Sequence, residues 1–207
     1  MSEHTEFTTD EQKVSYGFGL QFGDQLRKNQ FDGMDIDAVV AGIRDWFADG
    51  TSKLSDAELN PAYQAVQAKQ QAAQAEQSAA QSAIADQFMA QNAAREGVMS
   101  TESGLQYEVL ESGDGATPTK ESTVVVHYHG TFVDGSVFDS SVQRGEPATF
   151  GVTQVIPAWT EALQLMSVGD KWRVFAPPHL AYGEQGAGGV IPPNTALIFE
   201  VHLIGIE

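Results

Sequence analysis

Asp139 follows Phe138 directly in the run VVVHYHGTFVDGSVFDSS, with Ser140 and Ser141 after it. A carboxyl so placed could serve as a general acid or base, although no partner carboxylate stands near it in sequence. Accepting local hydrogen bonds, or pairing with Arg144, is the simpler reading. Tyr182, in AYGEQGAGG, could move a proton, yet a hydroxyl that donates a hydrogen bond from a pocket wall is the simpler role. His127 and His129 alternate along one strand face and could hold a metal. With no third ligand nearby in sequence, an exposed polar strand face is the preferred reading, and no metal is expected. The chain has no cysteine, which excludes thiol chemistry, disulfides and thiolate metal sites. No G-x-S-x-G elbow, P-loop, dinucleotide fingerprint, zincin helix or EF-hand loop occurs. Bond-making chemistry has no support, and no cofactor is expected.

The same part of the chain concentrates large apolar side chains. Tyr128, Phe138, Phe150, Val155, Ile156, Trp159, Tyr182, Ile191 and Phe199 recur through residues 124–207 among turns. They form either a core or an apolar pocket built on one. Residues 105–110 alternate as a strand, 123–132 make a longer one, and Asp134-Gly135 signals a hairpin before Val137-Phe138. Residues 156–165, with Pro157 in the first turn, predict one short helix. Residues 171–176 return to strand, 183–194 are a Gly- and Pro-rich loop, and 195–206 end the chain as an alternating strand. Antiparallel strands covered by one helix make an α+β domain of about 100 residues.

Ahead of it the pattern is helical. Residues 1–8 read as a frayed tail, and Thr9 with Gln12 fits a capping box. Val14, Phe18, Phe22 and Leu26 then draw an apolar stripe. Gly17, Gly19 and Gly23 suit close helix packing. Asp35 or Asp37 can cap a second helix, on which Ile36, Val39, Val40, Ile43, Trp46 and Phe47 fall at helical spacing before Gly50. Two such helices bury too little surface to stand alone, which predicts a homodimer through residues 1–66. Ser55 with Glu58, or Asn60 with Pro61, starts a third helix that nothing stops before Gly97. Residues 67–83 hold no apolar side chain larger than alanine, so this helix reads as a rigid, solvent-exposed spacer rather than a coiled coil. The expected domains are 1–54, a helical dimerisation bundle; 55–97, a connecting helix; and 98–207, the α+β domain.

A net charge of −17, from 28 acidic and 11 basic residues, leaves no basic footprint for nucleic acid and repels anionic membranes. No apolar run approaches the ~20 residues of a membrane span. The first residues lack the basic and apolar regions of a secretory signal. A cytoplasmic location is therefore expected, with neither nucleic acid nor membrane as partner.

The motifs VHYHGTFVDGSVFDSS, VIPAW, LQLMSVGDKW, AYG and IPPNTALIFEVHL, spread over residues 105–207, resemble the FKBP-type peptidyl-prolyl cis-trans isomerases. The helical part is similar in architecture to the Mip-like branch, whose members are V-shaped dimers. The resemblance implies a half-barrel sheet wrapped on the short helix, with an apolar cleft between them. It implies that Tyr128, Phe138, Asp139, Phe150, Val155, Ile156, Trp159, Tyr182, Ile191 and Phe199 line this cleft and bind substrate or macrolides of the FK506 and rapamycin type. Asp139, Tyr182, Phe138 and Trp159 would be the catalytic set, with Trp159 as floor and the Ile156 N–H and Tyr182 hydroxyl holding substrate carbonyls. Ala158 replaces the family's usual Gly before the Trp, and Ala148 and Ala187 stand where some members carry bulkier rim groups. The implied partners are unfolded or partly folded proline-containing proteins. A chaperone or binding module using the same cleft without turnover is the competing reading.

Overall fold

The computed structural model describes residues 7–207, so most of the expected frayed tail lies outside the described residues. The chain forms two compact units, one up to Ala73 and one from Gln74 to Glu207.

The first unit holds α1 (Asp10–Lys28), α2 (Ile36–Asp49) and the start of α3 (Asp56–Ala93). Thr9 Oγ1 accepts from the Gln12 N–H at 3.3 Å while Gln12 Oε1 accepts from the Thr9 N–H at 3.2 Å, which closes the capping box. Asp35, rather than Asp37, caps α2, accepting from the N–H groups of Asp37 and Ala38. Gly50 ends α2 at φ 70°, where a β-carbon would be strained. The apolar stripes of both helices form, but no residue of either is buried. Phe18, Phe22, Ile43 and Trp46 stay exposed, and Phe47 is 92% exposed.

Helix α3 begins after Ser55, whose N–H and hydroxyl both donate to Glu58 Oε2, at 2.9 and 2.7 Å. Pro61 sits inside the helix rather than at its start. Most of its surface faces solvent, as its composition predicts. The last half differs. Ala85 and Asn92 are buried, and Ser78, Gln81, Ser82, Phe88 and Met89 are half-buried at helical spacing between and beside them. Phe88 meets Phe175 with ring centroids 6.0 Å apart. Asn92 Nδ2 donates to Gln106 Oε1 at 2.8 Å, and Gln106 Nε2 donates to the Met89 carbonyl at 2.9 Å. The small side chains that make this stretch look bare are what let a helix approach a sheet domain closely.

The second unit is built on an antiparallel sheet of β1 (Val98–Ser100), β2 (Gln106–Glu111), β3 (Thr123–Phe132), β4 (Val137–Ser140), β5 (Ala148–Gly151), β6 (Lys171–Ala176) and β7 (Leu197–Ile206). The order is β1-β2-β6-β7-β3-β4, and β5 also pairs with β3. β5 takes residues 123–126 of β3 and β4 takes 129–131, so one edge of β3 is shared by two strands. The short helix α4 (Ser141–Arg144) begins where β4 ends. There Ser141 Oγ accepts from the Tyr128 N–H at 2.8 Å, replacing a strand partner. Helix α5 (Pro157–Leu163) lays Ala158, Trp159, Ala162 and Leu163 into the core, among Val124, Val126, Val174, Leu197, Val201 and Leu203. β1, α4 and β5 are too short, at three or four residues, to have emerged from periodicity.

Candidate functional site

Alternation on β3 sends Tyr128 to the helix-covered face of the sheet and His127 and His129 to the other. Beside Tyr128, β4 supplies Phe138 and Asp139, β5 Phe150, and β7 Phe199. The loop before α5 supplies Val155 and Ile156, and Trp159 comes from the first turn of α5. Tyr182 follows a 3-10 turn at Pro178–Leu180. These nine residues and Gln154 line one cavity of about 420 Å³.

Trp159 is 5% exposed and lies against the edges or faces of three other rings. Its centroid is 5.3 Å from Tyr128, 5.9 Å from Phe150 and 5.4 Å from Phe199, with interplanar angles of 83°, 90° and 83°. Phe138 meets Phe199 at 89°. Perpendicular packing sets positive ring edges against negative faces, which fixes each ring more firmly than apolar contact alone. Phe138 also packs over Gly130, where a β-carbon would come within 2.6 Å of its ring. Glycine there is what brings the β4 aromatic down to β3.

Asp139 has no carboxylate partner. It accepts from the Tyr128 hydroxyl and forms an ion pair with Arg144, whose other terminal nitrogen donates to the Tyr128 oxygen at 2.8 Å. The Arg144 guanidinium also lies 5.6 Å from the centre of the Tyr128 ring. Burial opposes ionisation of Asp139, but the bonds from Tyr128 and Arg144 outweigh it and hold its pKa below the ordinary value. Burial first, and then the bond to Asp139, push the Tyr128 phenol up. Asp139 is thus a fixed anion and Tyr128 a fixed donor, neither poised to exchange a proton near neutrality.

Ile191 is the one residue of the expected set outside this lining. It is buried in the core, where its N–H and C=O both bond to Ala187, at 3.0 and 2.9 Å. Gln154 also lines the cavity, and a glutamine two residues before Ile156 carries no apolar signal in the sequence. Arg144 pairs with Asp139 as the sequence suggests and also reaches Tyr128, a contact set by the turn of α4 that the sequence does not reveal. Among the described residues neither the Ile156 N–H nor the Tyr182 hydroxyl has a hydrogen-bond partner. Trp159 Nε1 is likewise buried without one.

Two family models match the chain. Residues 115–204 match the FKBP-type peptidyl-prolyl cis-trans isomerase model, and residues 11–109 match the domain amino-terminal to that isomerase. The FKBP-type 22 kDa peptidyl-prolyl cis-trans isomerase of Escherichia coli is 46% identical, over 97% of this chain and 97% of its own. The outer membrane protein MIP of Legionella longbeachae is 40% identical, over 100% of this chain and 90% of its own. The crystal structure of FkpA from Escherichia coli superposes with a TM-score of 0.69 at 38% identity, over 98% of this chain and 99% of that one.

One expectation is corrected by these relatives. A cytoplasmic location does not stand, because a relative matching the whole chain is an outer membrane protein. The physical reason is that an acidic, cysteine-free fold suits reducing and oxidising compartments equally. Address signals are read by receptors and leave no trace in the packing of the domain. No helix among the described residues is long and apolar enough to cross a membrane.

Proposed function

The chain belongs to the FKBP-type peptidyl-prolyl cis-trans isomerases, and from that premise we propose how its own residues carry the reaction. It catalyses rotation about X–Pro amides, as its family does, and the family binds proline-containing substrates and FK506-type inhibitors. The barrier is about 18–20 kcal/mol because amide resonance must be broken in the twisted state. The planar amide is the more polar form, so a cleft that strips water from it raises the ground state more than the twisted one.

In this proposal the proline ring sits on Trp159 between Tyr128, Phe138, Phe150 and Phe199. The Ile156 N–H and the Tyr182 hydroxyl donate to substrate carbonyls. Asp139, held by Tyr128 and Arg144, orients the twisting amide without accepting a proton. Val155 closes the rim, and macrolides enter the same cleft. The observation that supports this most directly is the ring of perpendicular aromatics around Trp159 with one fixed carboxylate beside it. Residues 98–207 form the isomerase domain, 55–97 the connecting helix and 1–54 the dimerisation bundle. A homodimer forms through residues 1–66, whose exposed aromatic side chains need a second copy to cover them. Client chains engage the helical unit as well as the cleft, which raises their effective concentration at the active site.

The test compares the full chain with residues 74–207, a truncation that keeps the packed half of α3. Isomerisation of a short proline peptide proceeds at the same rate in both, while refolding of a proline-limited protein slows in the truncation. Trp159→Ala weakens macrolide binding. A full chain that leaves the peptide rate at its uncatalysed value overturns the proposal.

A further inference from the structure

The loop between β6 and β7 carries Tyr182 near one end and Asn194 near the other. Its glycines Gly183, Gly186, Gly188 and Gly189 take positive φ, and Asn194 does so too, at φ 53°. Among the described residues Asn194 is the one non-glycine with that backbone. Asparagine enters this region more readily than most side chains, but glycine enters it freely. What asparagine adds is an amide, and the amide has a partner far away in sequence. Asn194 Nδ2 donates to Ser78 Oγ on α3 at 2.7 Å. Ser78 is half-buried, in the stretch of α3 that holds only small and polar side chains.

The main chain of the same residue reaches the other way, toward the cleft. The Asn194 N–H donates to the Gly183 carbonyl at 2.8 Å, one residue past Tyr182. The Gly186 N–H donates to the Tyr182 carbonyl at 3.2 Å. Tyr182 is 39% exposed, so little packing fixes its ring, and these backbone bonds set where its hydroxyl points. Beside the Ser78 bond the helix and the loop stand apart. Gln81, Ile84 and Ala85 of α3 and Val190, Pro192 and Thr195 of the loop line a cavity of about 370 Å³. The loop is tied to the helix here by the hydrogen bond more than by packing.

We propose that Ser78 and Asn194 are positioning residues for the isomerase reaction. Ser78 holds the Asn194 side chain, the Asn194 N–H holds Gly183, and Tyr182 is thereby kept with its hydroxyl over the cleft. The proposal rests on the reading of that hydroxyl as a donor to substrate. The connecting helix is then part of the cleft's support, and the half of α3 that packs on the sheet domain is needed for full turnover of even a short peptide. Without the bond the loop, rich in glycine with positive φ, samples more conformations, and the Tyr182 donor is no longer preorganised.

The experiment measures isomerisation of a short proline peptide by variants of the full chain. Ser78→Ala lowers kcat/KM about 3-fold, the effect of one lost hydrogen bond on the placement of the donor. Asn194→Gly, which suits the same backbone and keeps its N–H, lowers it equally, whereas Ser78→Thr, which keeps the hydroxyl, retains activity. Tyr182→Phe lowers kcat/KM by about 3-fold or more, and adding Ser78→Ala to it costs nothing further, since both act through one hydroxyl. Amide hydrogen exchange at Asn194 is faster in Ser78→Ala. Asn92→Ala, which loosens the far end of α3, serves as the control for a loss of stability alone and leaves kcat/KM in place. A Ser78→Ala variant with kcat/KM intact, or losses that multiply in the double variant, would overturn the brace while leaving Tyr182 as a donor. Tyr182→Phe at the unmodified rate would overturn the donor reading, and the brace with it.

Discussion

Asp139 and Gly130 show how single residues set the cleft. Because the Asp139 pKa is lowered, its ion pair contributes fully above the ordinary carboxyl value of 3.8 and is lost as pH falls through the lower folded value. Activity that depends on this anion is therefore level from neutral pH down through pH 5, which a pH profile of kcat/KM for a proline peptide will check. Asp139→Asn removes the pair with Arg144 and lowers kcat/KM about 10-fold with the fold retained. Gly130→Ala forces the Phe138 ring away from its β-carbon, which needs space the ring now fills. It lowers kcat/KM by about 10-fold and stability by about 1–3 kcal/mol, the usual range for overpacking. Thermal melts and peptide kinetics on one preparation separate the two effects.

At the scale of the element, α3 is the instructive case. Its alanine, serine and glutamine residues carry helix propensity with almost no apolar pattern, and the helix forms as its propensity predicts. Its contact with the sheet domain is made by small side chains, by amides and by Phe88, which meets Phe175. Asn92 is 2% exposed and both bonds to Gln106 and accepts from Arg95 at 2.8 Å. Asn92→Ala leaves the Gln106 oxygen buried without a donor and lowers stability by about 1–3 kcal/mol. Chemical denaturation will show this as a lower midpoint, with peptide turnover at 25 °C unchanged because no cleft residue is touched.

For the molecule as a whole, the exposed faces of α1 and α2 are the largest unexplained cost. Each large apolar side chain left in water forgoes about 1.5–3 kcal/mol of burial. For the proposed homodimer, Phe47→Asp, at a residue 92% exposed in the single chain, is expected to weaken self-association by at least about 10-fold in sedimentation equilibrium. It leaves peptide isomerisation unchanged and slows catalysed protein refolding. A variant that sediments like the unmodified chain would remove α2 from the proposed dimer interface.

The sequence by itself determined the helices, the long strands and the aromatic set, because capping residues, periodicity and turn signals act over a few neighbours. Thr9 with Gln12, Asp35, Gly50, and the alternation along β3 and β7 all belong to that range. The apolar residues announced a pocket or a core but not which. Tertiary structure decided that Tyr128 and Trp159 share one cavity while Ile191 packs into the core. It split one edge of β3 between β4 and β5, buried Ala85 and Asn92, and brought His202 beside His127. Each of these depends on strand register or close approach between residues distant in sequence, and no local pattern encodes such distances. Asp139 began as a possible acid; its bonds to Tyr128 and Arg144 make it a fixed charge.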